Sequence, residues 1–148
     1  MKKVEFHSPA DGDIIENPDI AFLRILILYV KDYWSFGSGA GTIYYKDKGL
    51  DKRMEIYFSE KYGFHLRIFP KNGDFFLSFG QGDYKHSVEV YVGGDPWLLP
   101  TKYFITNEET LIAVEEFAKT GEITPHVNWG KGSEETWTYG YDEEEIDE

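Results

Sequence analysis

The chain has 148 residues, with 27 acidic and 15 basic side chains and a formal net charge of -12. It is long enough for one domain with a sizeable core, and its 41% hydrophobic and 18% aromatic residues are too many for a disordered acidic chain. The charge argues against binding to nucleic acid or to an anionic membrane, because both need a basic face. The absence of cysteine excludes disulfides and fits a cytosolic protein. No signal peptide is predicted.

The negative charge is concentrated at the C-terminus. Residues 131–148 contain eight acids and one base, a net charge of -7, whereas residues 1–130 carry only -5. Runs of like charge are usually solvated and often serve as interaction tails. We therefore expect a single domain over residues 1–130, followed by an acidic, aromatic tail over residues 131–148.

A nearly all-apolar helix is predicted over residues 20–33. Asn17 is a suitable N-cap, Pro18 suits the first helical position, and Asp19 complements the positive end of the helix dipole. The apolar run is about half the length that a bilayer requires. We expect this helix to pack deep against a sheet, with Arg24 snorkelling to the surface or paired with an acid.

Alternating apolar and polar residues predict strands through the middle of the chain. The predicted strands cover residues 4–6, 42–45, 54–58, 64–69, 75–79 and 88–92. Asn72-Gly73 is the strongest turn signal, because Asn-Gly readily adopts the positive φ angles of a type I′ turn. No helix separates the strands after residue 42, so an antiparallel meander is expected.

A second helix is predicted to begin after Thr106 and to end at Gly121. Thr106 and Glu109 have the spacing of a capping box, and glycine is favoured just past a helix end. A less regular strand is expected over residues 98–105 and a last short one over residues 126–129. The order of elements predicts an α+β fold: a single, mainly antiparallel β-sheet (meander) with two α-helices packed on one face.

The residue patterns contain no strong catalytic or metal-binding motif. The four histidines are widely separated, and the glycine-rich segments at residues 37–41 and 130–133 lack the spacing of a nucleophile elbow or a phosphate loop. Glu55 and Glu89 lie on predicted strands and more often mark a solvated face, although a small hydrolase with paired carboxylates is a third hypothesis. We expect no enzymatic activity, no cofactor and no metal.

Aromatic residues next to the acid run have two equally supported interpretations. Rings alternate with polar residues over residues 137–141, which fits either an edge strand packed on the domain or a surface that contacts a partner. The predicted partner contacts are Trp34, Glu134, Glu135, Trp137, Tyr139, Tyr141, Asp142 and Glu143.

A recognisable pattern covers residues 88–129. The segments VEVYVGG (88–94), LP (99–100) and FI (104–105) lead into a helix that ends EFAKTGE (116–122), and TPHVNW (124–129) follows. The pattern resembles the bacterial immunity protein family associated with deaminase toxins of polymorphic and interbacterial toxin systems. A weaker resemblance extends back to about residue 8. That family commonly has an acid at the position of Asn128 and Glu at the position of Gly130.

The resemblance implies a cytoplasmic bacterial protein that performs no reaction. Such a protein binds a cognate toxin with a basic active-site cleft and blocks the active site or the substrate channel. An acidic inhibitor gains steered association with a basic toxin, which agrees with the net charge. The alternative hypothesis is a carbohydrate- or peptide-binding module that uses exposed aromatic residues. The sequence indicates no oligomeric state.

Overall fold

The computed structural model describes residues 2–9, 13–29, 33–34, 40–92 and 95–135. The strands in these residues are β1 (Lys2–His7), β2 (Ile14–Glu16), β3 (Ala40–Asp47), β4 (Leu50–Ser59), β5 (Gly63–Phe69), β6 (Phe76–Phe79), β7 (Ser87–Val92), β8 (Asp95–Pro100) and β9 (Asn128–Lys131). The α-helices are α1 (Ile20–Tyr29) and α2 (Asn107–Thr120), and short 3₁₀ turns lie at Thr101–Tyr103 and Gly132–Glu134.

Seven strands form one antiparallel sheet in the order β2-β1-β3-β4-β5-β6-β9. The predicted α+β class, with a mainly antiparallel sheet and two helices, is confirmed. The meander is continuous only from β3 to β6, because β7 and β8 pair with each other as a separate hairpin. A loop joins β6 to this hairpin. The loop is hydrogen-bonded to the segment after β8, where Gly80 N donates to Lys102 O over 2.7 Å.

The two helices cover one face of the sheet with an apolar core. Every second residue of the central strands faces them. The buried side chains of this layer include Leu23, Leu26 and Ile27 of α1, Ala113, Val114 and Phe117 of α2, and Phe6, Ile43, Met54, Ile56, Leu66 and Ile68 of the sheet. Burial of these side chains is the main source of stability for the fold.

The β7–β8 hairpin covers part of the opposite face, where β7 contacts β4. A second, smaller core lies beneath it, formed by Leu77, Val88, Val90, Leu99, Tyr103 and Phe104. On β1, β3 and the first half of β4, the residues of this face are mostly charged or hydroxylated, as the pairing of Glu5 with Tyr44 and of Tyr44 with Arg53 illustrates. The sheet therefore has one apolar face and one mixed face.

Asp19, rather than the predicted Asn17, caps α1. Asp19 Oδ1 accepts a hydrogen bond from Ala21 N over 3.2 Å. Asn17 has a positive φ of 48°, and its side chain accepts a hydrogen bond from Val4 N over 3.0 Å, so it joins the turn to β1 instead. The predicted end of the helix is also wrong, because residues 33–34 form a 3₁₀ turn.

The tight hairpin turn of the sheet is Lys48-Gly49, between β3 and β4. Both residues have positive φ angles, 50° and 80°, and the strands stay paired up to Asp47 and Leu50, which defines a two-residue type I′ turn. At the predicted Asn72-Gly73 turn only Gly73 has a positive φ, and six residues separate β5 from β6. The prediction of a type I′ turn there is wrong.

The capping signals of α2 are confirmed. Thr106 Oγ1 accepts from Glu109 N over 3.1 Å, and Thr106 N donates to Glu109 Oε1 over 3.1 Å. Gly121 ends the helix with a φ of 72°. The last strand lies two residues later than predicted, since β9 begins at Asn128 and ends at Lys131.

Candidate interaction surfaces

Glu55 and His65, two of the residues with a candidate chemical role, are held by neighbours within the fold. The described residues contain no group of three or more His, Asp or Glu side chains placed to bind a metal ion. Glu55 accepts hydrogen bonds from Arg53 Nε over 3.1 Å and from the Tyr57 hydroxyl. Burial raises the pKa of Tyr57, which keeps that hydroxyl protonated as a donor. The Glu55 carboxylate thus neutralises the positive charge of Arg53 on the same strand.

His65 belongs to a buried polar network under the hairpin. Its Nε2 accepts from Arg67 Nε over 3.0 Å, which leaves Nδ1 protonated to donate to Tyr103 O over 3.0 Å. Burial and the Arg67 charge hold the pKa of His65 well below its usual value, so the ring is neutral. The Arg67 guanidinium lies between the rings of Tyr57 and Trp97, at 5.0 and 5.1 Å. This network attaches the segment after β8 to the sheet.

The segment after β9 is fixed to the domain through Glu135. Gly132 N donates to Phe75 O over 2.7 Å, and Ser133 N donates to both carboxylate oxygens of Asp74 over 3.1 and 3.2 Å. Glu135 Oε1 accepts from Tyr84 OH over 2.9 Å and from Tyr103 OH over 3.2 Å. The folded domain therefore continues at least five residues beyond the predicted boundary at residue 130.

Because of these hydrogen bonds, the two predicted contact residues Glu134 and Glu135 have different surroundings. Glu134 is exposed, whereas Glu135 is partly buried and bonded within the fold. Tyr84 is 55% exposed and stands beside Glu135. We call Asp83, Tyr84, Glu134 and Glu135 the C-terminal surface. The other predicted contacts in this part of the chain, Trp137, Tyr139, Tyr141, Asp142 and Glu143, lie outside the described residues.

Trp34, which was predicted to contact a partner, lies in the core. Its side chain is 2% exposed, and its Nε1 donates to Leu26 O over 3.0 Å. Its ring meets those of Phe6 and Phe64 edge-on, at centroid distances of 6.1 and 5.4 Å. A buried ring with a satisfied donor stabilises the fold, so Trp34 does not belong to the exposed surface.

Asn128 and Gly130, which differ from the pattern that residues 88–129 resemble, have different surroundings. Asn128 is exposed at the start of β9. Gly130 packs against Phe79, and a Cβ atom at residue 130 would lie 2.1 Å from Phe79 Cζ. The structure leaves no room for a glutamate there without moving that ring.

The helical layer presents a second acidic surface. Glu108, Glu115 and Glu116 lie on α2 outside its buried face. Arg24 of α1 pairs with Glu115 over 2.5 Å, which confirms the expected pairing with an acid.

Large apolar side chains are also exposed on the helices: Ile25, Tyr29 and Ile112 are 50%, 76% and 44% exposed.

The mixed face of the sheet holds a hollow of different character. It has a volume of about 290 Å³, close to the lower limit for ligand pockets, and cross-strand pairing brings its residues together. We call it the basic hollow; it is lined by Tyr44, Asp51, Lys52, Arg53, Phe69, Pro70 and Lys71. Sequence reasoning missed it, because its position depends on the register that the Lys48-Gly49 turn sets.

No protein-family model and no curated protein matches the sequence. Neither α1 nor α2 has the length and the apolar character that a membrane crossing requires. A functional proposal therefore rests on the fold and on three surface features: the C-terminal surface, the helical layer and the basic hollow.

Proposed function

We propose that the protein is a non-enzymatic immunity protein, which binds a cognate bacterial toxin and blocks its active site or substrate channel. The toxin in this proposal is a deaminase that acts on nucleic acid. The observation that carries the proposal is the C-terminal surface: exposed Glu134 and Tyr84 lie where the folded chain continues into the acidic, aromatic sequence. The resemblance of residues 88–129 to immunity proteins points the same way.

The anchoring of Glu135 supports a role for this region in binding. Two tyrosine hydroxyls hold its carboxylate, so the acidic sequence that follows starts from a fixed point on the domain. Residues 142–148 contain six acids and no base. A concentrated negative charge accelerates encounter with a basic cleft and disfavours binding of nucleic acid to the inhibitor itself.

The engagement of Glu55 and His65 within the fold supports binding rather than catalysis. Glu55 accepts from Arg53 and Tyr57, and both ring nitrogens of His65 have partners. The carbohydrate-binding alternative has less support. A sugar needs a bare aromatic face, whereas Phe69 in the basic hollow carries Arg53 over its ring at 4.0 Å and stacks on Phe75 at 4.9 Å.

The direct test is to mix the purified full chain with the toxin domain encoded by the adjacent gene. Binding is measured by titration calorimetry, and toxin activity is measured on single-stranded nucleic acid with increasing amounts of the protein. We expect a stable complex and a stoichiometric loss of activity. Absence of a complex at micromolar concentration, with toxin activity unchanged, contradicts the proposal.

The role of the acidic sequence is tested with a chain that ends at Glu135. This boundary keeps the bonds of Gly132, Ser133 and Glu135, which removal of residues 131–148 would destroy. We expect association about tenfold slower at low salt and less dependent on ionic strength. A matched variant in which residues 142–145 become the corresponding amides separates the charge from the aromatic rings. Equal association rates for all three proteins would place the interface elsewhere.

A further inference from the structure

The basic hollow contains an arginine that is held in one orientation. Arg53 Nε donates to Glu55 Oε2 over 3.1 Å, and its guanidinium lies over the Phe69 ring at 4.0 Å. Its terminal amino groups make no hydrogen bond in the described residues. A guanidinium with a fixed plane and free terminal donors is suited to bidentate binding of a carboxylate, because little side-chain entropy is lost.

Lys71 adds a second cation at the rim of the hollow. Its Nζ donates to Gly49 O, which positions the ammonium group beside the β3–β4 turn and leaves further donors on it. Tyr44 lies opposite Arg53 on the neighbouring strand, and Phe69 and Pro70 complete an apolar wall. Lys52 directs its ammonium group to Gly121 O on the helical side. Asp51 also lines the hollow, which thus offers the two cations Arg53 and Lys71, one carboxylate and apolar surface, on a protein whose net charge is -12.

The chain itself carries a segment of complementary chemistry. Residues 136–148, with the sequence TWTYGYDEEEIDE, contain three aromatic residues followed by six acids and no base. Carboxylates match Arg53 and Lys71, and the tail rings match Pro70 and the part of the Phe69 ring that Arg53 and Phe75 leave open to the hollow. An acidic, aromatic peptide therefore has chemistry complementary to this hollow.

The fixed end of the described chain lies close enough for this segment to reach. Gly132 lies against Phe75, since a Cβ atom on Gly132 would be 2.3 Å from that ring, and Phe75 stacks on Phe69 of the hollow. Thirteen extended residues span up to about 43 Å. A tether of this length gives an effective concentration in the millimolar range, so a site with a dissociation constant of about 1 mM is occupied in about half of the molecules.

We propose that the basic hollow of Arg53, Lys71, Tyr44 and Phe69 is a docking site for the acidic, aromatic C-terminal segment of the same chain. Docking joins the acids to the cations of the basic hollow, and a basic partner must compete with the hollow for those acids. The contact is a property of the protein alone and does not rest on the proposed function.

The test compares backbone amide NMR spectra of the full chain and of the chain that ends at Glu135. We expect chemical-shift differences at Tyr44, Arg53, Phe69 and Lys71, which disappear at about 0.5 M NaCl because the contact is electrostatic. A synthetic peptide of residues 136–148 added to the shorter chain should shift the same amides, with a dissociation constant on the order of 1 mM.

Two variants and one small ion complete the test. The double substitution Arg53→Gln, Lys71→Gln should weaken peptide binding about tenfold, whereas Lys61→Gln, in the turn at the opposite end of β4 and β5, should leave it unchanged. The proposal is overturned by identical amide spectra at the hollow, by equal peptide binding to both variants, or by shifts that grow with protein concentration, which indicate a second copy. Acetate tests whether a carboxylate alone is enough. The proposal is also overturned if acetate, at the same concentration as the peptide, causes the same chemical-shift changes.

Discussion

The two faces of the seven-stranded sheet are covered in different ways. On one face, α1 and α2 seal an apolar layer that includes Phe6, Ile56, Leu66 and Phe117. On the other, the β7–β8 hairpin covers buried His65 and Arg67, and charged residues occupy the strands beyond it. The first face supplies stability, whereas the second fixes the position of the hairpin through directional bonds and presents charged surface to partners.

The largest effect should come from the apolar face. Phe117 is fully buried at the interface of α2 with the sheet. Phe117→Ala should lower the free energy of unfolding by about 3–5 kcal/mol, because it removes apolar burial and leaves a cavity. Urea denaturation measures the loss. Ile112→Ala is the matched control on the exposed side of α2, and we expect it to cost under about 1 kcal/mol. Equal losses of unfolding free energy for the two variants would contradict the assignment of Phe117 to the buried side of α2 and of Ile112 to the exposed side.

The mixed face should make stability depend on pH. The pKa of His65 is lower in the folded protein than its ordinary value of 6.5, so the unfolded chain takes up the proton first as the pH falls. Stability is therefore complete above pH 6.5 and should decrease below it, by up to about 1.4 kcal/mol per pH unit.

Urea denaturation between pH 7.5 and about 5 measures this slope. The carboxylates with lowered pKa values, Glu5, Asp74 and Asp83, lose their contribution only at more acidic pH, since their ordinary values are 4.5 and 3.8. His65→Gln should flatten the slope, and exposed His126→Gln should not. The same slope in all three proteins would exclude His65 as its source.

The smallest effect is expected at the surface of the helical layer. The Arg24 side chain is 51% exposed and pairs with Glu115 of α2. Arg24→Ala should cost only about 0.2–1 kcal/mol, because exposed ion pairs are well solvated. A double-mutant cycle with Glu115→Gln measures the coupling, which should decrease with added salt. A coupling above 2 kcal/mol would contradict the view that apolar burial alone dominates this face.

The features that sequence reasoning found are local ones. Helix α2 was predictable because Thr106, Glu109 and Gly121 act on backbone groups within one turn of themselves. Strands β3 to β7 were located approximately, since alternation is visible within a few residues. Such signals do not depend on how distant parts of the chain meet.

The features that it missed depend on tertiary contacts. Asn17 has a good capping side chain, but Val4 of a neighbouring strand binds it. Trp34 looks like an exposed aromatic residue near a glycine-rich segment, yet Phe6 and Phe64 enclose it. The basic hollow combines residues from three strands, and only the register of those strands brings Arg53 over Phe69.

The edges of the main sheet have a consequence for recognition. Its outermost described strands are β2, with three residues, and β9, with four. Short edges offer few free backbone donors and acceptors in a row, so they are poor templates for strand addition by another chain. A partner that approaches the edges of the main sheet should therefore bind through side chains, and its specificity should change with single surface substitutions there. The same short edges should limit self-association through the main sheet at high protein concentration.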